Sequence, residues 1–160
     1  MKKLIVIAVL VLFTLQAESK LSPRGYVLLN TPDHVSKYLN KVWDDAEWCS
    51  EKYNIPLPLI LAQLCLESGY GRSYYAKDKN NHLGIKFEGK YAHFASLRDC
   101  LDVYGRTLSK NRYTSYGCKT VSCWLYLLDV NCYHMGGNIY TKKCKYIIKK
   151  HNLSWLEDKC

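Results

Sequence analysis

The chain has 160 residues, a formal net charge of +9, 48% apolar residues and eight cysteines. That length makes one domain with a core of its own, and a basic balance concentrates polyanions at the surface. It excludes a long repeat array, a collagenous or low-complexity chain and, with no recognisable binding module, a nucleic-acid reader.

Lys2 and Lys3 precede the apolar run Leu4 to Leu15, and Gln16-Ala17 gives way to the polar stretch Glu18-Ser19-Lys20. This reads as a secretory signal peptide over residues 1–17, cleaved near Ala17. The run is shorter than the roughly 20 residues a membrane span needs, so stable insertion after cleavage is not expected. Removing it takes away two lysines and no acids, so +9 becomes +7. An exported, periplasmic or extracellular, monomer follows. Cys49, Cys65, Cys100, Cys118, Cys123, Cys132, Cys144 and Cys160 all lie beyond it. An even count in an exported chain reads first as disulfides of unreadable pairing. Zinc held by Cys118, Cys123, Cys132 and His134 is the alternative, but no C-x2-C pair is present.

Residues 18–30 read as an irregular arm, and residues 31–160 as the functional domain. Thr31 as N-cap, Pro32 at the first helical position and Asp33 in the first turn open a helix. Its inward positions, Val35, Tyr38, Leu39, Val42, Trp43, Ala46, Cys49 and Tyr53, run to Asn54. A second helix starts at Pro58 and is apolar on nearly every side until Ser68-Gly69, so it should run through the centre of the domain. Ser73 caps a short third helix to Lys79. Leu83 to Phe94 then suggests a hairpin turning at Glu88-Gly89. Ser96 starts a further helix, Val121 to Val130 another, and Ile139 to His151 a last, basic one. The sum is a mainly α (α+β) domain with one short β-hairpin.

Glu67 is the one acid in the apolar segment Ile55 to Gly69, in that segment's last turn. Burial and the negative end of the helix dipole both disfavour its charged form. A carboxyl that keeps its proton near neutral pH is what a general acid donating to a glycosidic oxygen needs. The alternative is a structural glutamate at a helix end, paired with a cation such as Arg72.

The stretch Leu59-Ile60-Leu61-Ala62-Gln63-Leu64-Cys65-Leu66-Glu67-Ser68-Gly69-Tyr70-Gly71-Arg72-Ser73, followed by Asn80-Asn81-His82-Leu83-Gly84-Ile85-Lys86, resembles the signature of the bacterial endo-β-N-acetylglucosaminidases of glycoside hydrolase family 73. Flagellar muramidase-like domains and many wall autolysins belong to that family. The resemblance runs from Trp43 to Leu153 and is strongest over residues 57–86.

It implies a lysozyme-like helical fold, a catalytic domain over residues 31–160, Glu67 as proton donor, peptidoglycan glycan strands as the partner, and neither metal nor organic cofactor. Asn80 and Asn81 fall where the family orders its cleft floor, with His82 beside them. Asn138-Ile139-Tyr140-Thr141 aligns with the family's Asp-Pro-x-Tyr-Ala, making Tyr140 the match for a cleft tyrosine. Met135-Gly136-Gly137 departs from the pattern before it, so Tyr133 and His134 are both candidates for an earlier tyrosine. The β-lobe is cut short, and Glu88 is its one candidate for a second, base-type acid. Without such a base, the substrate's acetamido group or Tyr140 would assist; Asp99 and Asp102 read as helix-surface residues. Tyr70 and Tyr113 are expected to contact sugar, and Tyr74, Tyr75, Tyr91 and Tyr116 fall in segments near the cleft. Two other functions fit the scaffold. One is a muramidase or lytic transglycosylase, and the other is a wall-binding module that kept the fold and lost turnover.

Overall fold

The computed structural model describes residues 21–110, 117–131 and 138–156. The expected signal peptide, Tyr113, Tyr116, Cys132, Tyr133, His134 and Cys160 lie outside the described residues.

Seven helices and one hairpin are present among the described residues. They are α1 (Pro23–Leu29), α2 (Asp33–Tyr53), α3 (Leu57–Ser68), α4 (Tyr74–Asp78), β1 (Lys86–Phe87), β2 (Lys90–Tyr91), α5 (Leu97–Leu108), α6 (Val121–Val130) and α7 (Asn138–Lys150). A 3-10 turn, Leu153–Leu156, follows α7. α3 packs against α2, α7 and the 3-10 turn, while α2 also carries α5 and α1 on its flanks. Leu59, Ile60, Leu61 and Leu64 of α3 are fully buried, as its lack of a polar face requires.

α1 corrects the irregular arm expected over residues 18–30. Ser22 Oγ accepts from Gly25 N at 3.1 Å, and Pro23 takes the first helical position. Only Val27 of the seven residues is buried, too little periodicity to read from sequence. Tyr26 fastens the helix by stacking on Trp155 at 4.4 Å.

The start of α2 is one residue later than Thr31 and Pro32 imply. Pro32, at φ −55° and ψ 146°, is the cap itself. Thr31 turns its hydroxyl back to Leu28 O instead of capping. α3 begins at Leu57, one residue before the expected Pro58, with Pro56 as its cap.

The cysteines divide in two. Cys118 and Cys123 form a disulfide, which spends two of the sulfurs considered for zinc. Cys49, Cys65, Cys100 and Cys144 are free thiols, all fully buried, and correct the expectation of a general disulfide framework. They occupy inward helical positions as small apolar side chains. Burial pushes the Cys49, Cys65 and Cys144 thiols up to about 12 and Cys100 to about 11. Among the described residues, no helix is long and apolar enough to cross a membrane.

Candidate active site

α3 ends where Gly69, at φ 57°, takes the left-handed conformation and returns its N–H to Cys65 O. Glu67 therefore sits half-buried in the last turn, at the lip of a cleft of about 530 Å³. Ser73, Tyr75, Asn81, Leu83, Gly84, Ile85, Lys86 and Tyr91 complete the lining. The cleft is thus walled by the end of one helix and by the hairpin.

Asn81 ties the two arms of the hairpin together at their base. Its Oδ1 accepts from Ile85 N at 2.9 Å, and its Nδ2 donates to Ile85 O at 2.8 Å and Ala92 O at 3.0 Å. Asn80 Nδ2 donates to the carbonyls of Phe94 and Ala95, both at 3.1 Å. Both asparagines thus serve the backbone, and the Asn81 side chain, 1% exposed, has its hydrogen-bonding capacity largely taken up within the fold. β1 and β2 pair antiparallel, Lys86 with Tyr91 and Phe87 with Lys90. Glu88 and Gly89 turn with φ of 50° and 79°, the left-handed pair a two-residue hairpin requires.

Gly84 brings the hairpin to the acid. At φ 63°, a Cβ there would lie 3.7 Å from Glu67 Oε2 and 3.9 Å from Tyr91 Cε1. The bare backbone lets Glu67 and the Tyr91 ring face each other across it. Tyr91 stacks on Tyr75 with ring centroids 3.9 Å apart, and Lys86 Nζ rests 4.4 Å from the Tyr91 centroid.

A polar knot supports the end of α3 from behind. Ser68 Oγ accepts from Gly71 N at 2.7 Å and lies 2.9 Å from the Tyr38 hydroxyl, which lies 2.9 Å from His82 Nδ1. His82 is 3% exposed and stacks on Tyr38, so it braces the cleft rather than lining it. Burial, with a smaller push from Lys41, lowers its pKa to about 4 and keeps it neutral.

The other expected site residues are placed as follows. Tyr140 is 5% exposed and accepts from Gln63 Nε2 at 2.9 Å, while Tyr104 donates to Gln63 Oε1. It belongs to a buried link between α3, α5 and α7 and is not part of the cleft lining. Tyr70 lies outside the lining as well, with its hydroxyl 2.9 Å from His151 Nε2. Glu88 is exposed at the hairpin tip and does not line the cleft. Asp102 is engaged by Lys52, Tyr53 and Arg106, and Asp99 by its own cap Ser96, consistent with surface roles on α5. Arg72 turns its Nε to Gly69 O at 3.0 Å.

Sequence reasoning missed Gly84 and Lys86 as residues of the cleft lining and left Tyr75 and Tyr91 unpaired. Gly84 and Lys86 carried a signal, the Gly84-Ile85-Lys86 run that follows the paired asparagines. The Tyr75–Tyr91 stack carried none, because only the hairpin's fold-back joins them.

The glucosaminidase family, described as mannosyl-glycoprotein endo-beta-N-acetylglucosaminidase, matches residues 43–153. Among solved structures, the catalytic domain of the autolysin Auto from Listeria monocytogenes superposes with a TM-score of 0.68 at 22% identity, covering 88% of this chain and 93% of that one. The glycoside hydrolase domain of FlgJ from Salmonella typhimurium gives 0.61 at 24% identity, covering 78% and 91%. At such identities the likeness is one of fold. No curated protein matches the sequence significantly. The family match spans well over half of the chain, and the fold agrees with it: this protein belongs to the glucosaminidase family, glycoside hydrolase family 73, with a lysozyme-like helical domain.

Proposed function

We propose that this chain hydrolyses the β-1,4 bond after N-acetylglucosamine in peptidoglycan strands, with Glu67 as general acid. The observation that carries the reading is the placement of Glu67. A half-buried carboxyl in the last turn of an apolar helix faces an open cleft with a stacked tyrosine wall. Helix polarity and burial both favour the protonated form that an acid must start from. Glu67 gives its proton to the glycosidic oxygen, the C–O bond breaks, and the leaving sugar departs as an alcohol. Water supplies the new bond at the anomeric carbon and returns a proton to the site. Action outside the cytoplasm fits the Cys118–Cys123 disulfide and the expected signal peptide.

One observation favours a second reading. Glu67 is the single carboxylate among the described residues lining the cleft, and Glu88, exposed at the hairpin tip, is a weak candidate for a base. A single acid suffices for capture by the substrate's own acetamido oxygen. It also suffices for a lytic transglycosylase, in which the muramic 6-hydroxyl closes an anhydro ring. Mass spectrometry of digested peptidoglycan tests the proposal. Reducing-end N-acetylglucosamine is the expected product; anhydro-muramic ends support the transglycosylase. Binding without any cleavage overturns the catalytic reading and leaves a wall-binding module.

A further inference from the structure

The cleft holds more chemistry than an acid needs. Of its polar lining, Asn81 is consumed by the hairpin backbone, and Ser73 Oγ accepts from Ala76 N at 3.2 Å as the cap of α4. What remains to meet a ligand is Glu67, the ring edges and hydroxyls of Tyr75 and Tyr91, and Lys86. Lys86 is exposed, pairs across the hairpin with Tyr91, and makes no salt bridge among the described residues. Its ammonium is held by the Tyr91 ring, a contact that leaves its hydrogen-bond donors open. Two stacked rings overlaid by a cation are complementary to a sugar bearing a carboxylate.

We infer that Lys86 is a specificity-determining residue that reads a carboxylate on the substrate strand, so that the cleft prefers acidic wall glycan to neutral N-acetylglucosamine oligomers. The inference rests on the glycan-hydrolase reading above. When Glu67 carries the proton it will deliver, Lys86 is the one charge among the described residues of the lining, and these make the cleft cationic toward its ligand. The carboxylate has two chemical sources on a wall strand. One is the lactyl arm of muramic acid where the peptide is absent, and the other is the stem peptide. Neutral oligomers of N-acetylglucosamine offer the same ring faces without either group.

The test compares three substrates: peptide-bearing strands, strands stripped of stem peptides, and neutral N-acetylglucosamine oligomers. The unmutated chain is expected to favour at least one acidic strand in kcat/KM. In Lys86→Met the acidic-to-neutral ratio should fall by about fivefold, the size expected of one partly exposed charge pair, and through KM rather than kcat. Lys86→Arg should restore most of it, and the acidic strand that suffers identifies the carboxylate. A ratio in Lys86→Met within about twofold of the unmutated one overturns the inference.

Binding separates this from failure of the hydrolase reading. In the Glu67→Gln background, adding Lys86→Met should weaken affinity for acidic strands more than for neutral oligomers, whether or not the unmutated chain cleaves any of them. Equal affinities for all three in that background also overturn it. Lys86 is exposed, so an unchanged Tm confirms that the comparison is between folded proteins.

Discussion

α3 starts beneath one cleft and ends beneath another, about 15 Å apart by the rise of the helix between Leu57 and Glu67. The cleft at its start is the larger, about 850 Å³, bounded by Pro23, Pro56, Pro58, Trp43 and Ile55. Its acid, Glu47, is exposed on the surface of α2, and its Arg24 is already joined to Asp44 at 2.5 Å. The cleft at the helix end is smaller, yet there a half-buried carboxyl sits in the last turn of α3, beside a stacked pair of tyrosines. Room alone does not mark a site. A half-buried titratable group beside open space is the better indicator, because function collects such groups in clefts.

The strongest way to break this comparison is to neutralise the acid at the end of α3. Glu67→Gln keeps the shape and removes the transferable proton. Turbidity clearing of peptidoglycan should fall by about a thousandfold, within the range general acids contribute. Circular dichroism should be unchanged. Clearing retained within about tenfold would remove Glu67 from its assigned role.

Much of this contrast was legible in the sequence, and the illegible part has definite causes. The all-round apolarity of Leu59 to Cys65 located α3 at the centre, and the Glu-Gly pair located the hairpin turn. Where tertiary contact decides, the sequence was silent. Asn80, Asn81 and His82 stood in a segment expected at the cleft, and of the three only Asn81 is in the lining. Their side chains face carbonyls and Tyr38 because the hairpin folds back on α4, which no local pattern encodes. Tyr140 falls at an inward position of α7, but only the meeting of three helices makes it a partner of Gln63. Cysteine count suggested disulfides, whereas four sulfurs lie where an aliphatic group would serve as well. α1 was missed because seven residues with one buried side chain carry no period.

Removing the hairpin's tether attacks the active-site end from its other wall. Asn81→Ala deletes three hydrogen bonds and strands Ile85 N–H and Ala92 O, while Ile85 O keeps its bond from Ala92 N. Leaving buried backbone groups unpaired should lower unfolding free energy by about 3 kcal/mol in urea denaturation, with clearing reduced alongside. A loss under about 1 kcal/mol would mean that the hairpin holds without Asn81.

Acid should loosen this same end first, because His82 braces it and is kept neutral by burial. Its folded pKa, about 4, lies below the ordinary 6.5. The unfolded chain therefore binds the proton first as pH falls, so the stability tied to neutral His82 is full above 6.5 and lost on descending toward 4. From pH 6.5 to 5 the expected loss is about 2 kcal/mol, read as a falling urea midpoint. His82→Asn, which cannot titrate, should flatten that slope; an unchanged slope would show that His82 is not its source.

The smallest effect belongs to the other cleft, and it tests the comparison from the opposite side. Glu47→Gln makes at the N-terminal cleft the chemical change that Glu67→Gln makes at the C-terminal one. Glu47 stands on the exposed face of α2, at a mid-helix surface position open to water. The exchange should leave clearing rates within about twofold and stability within about 0.5 kcal/mol, the usual range for surface substitutions. Should clearing collapse in Glu47→Gln while Glu67→Gln remains active, the larger cleft is the active one, and the electrostatic argument that selects the end of α3 fails with it.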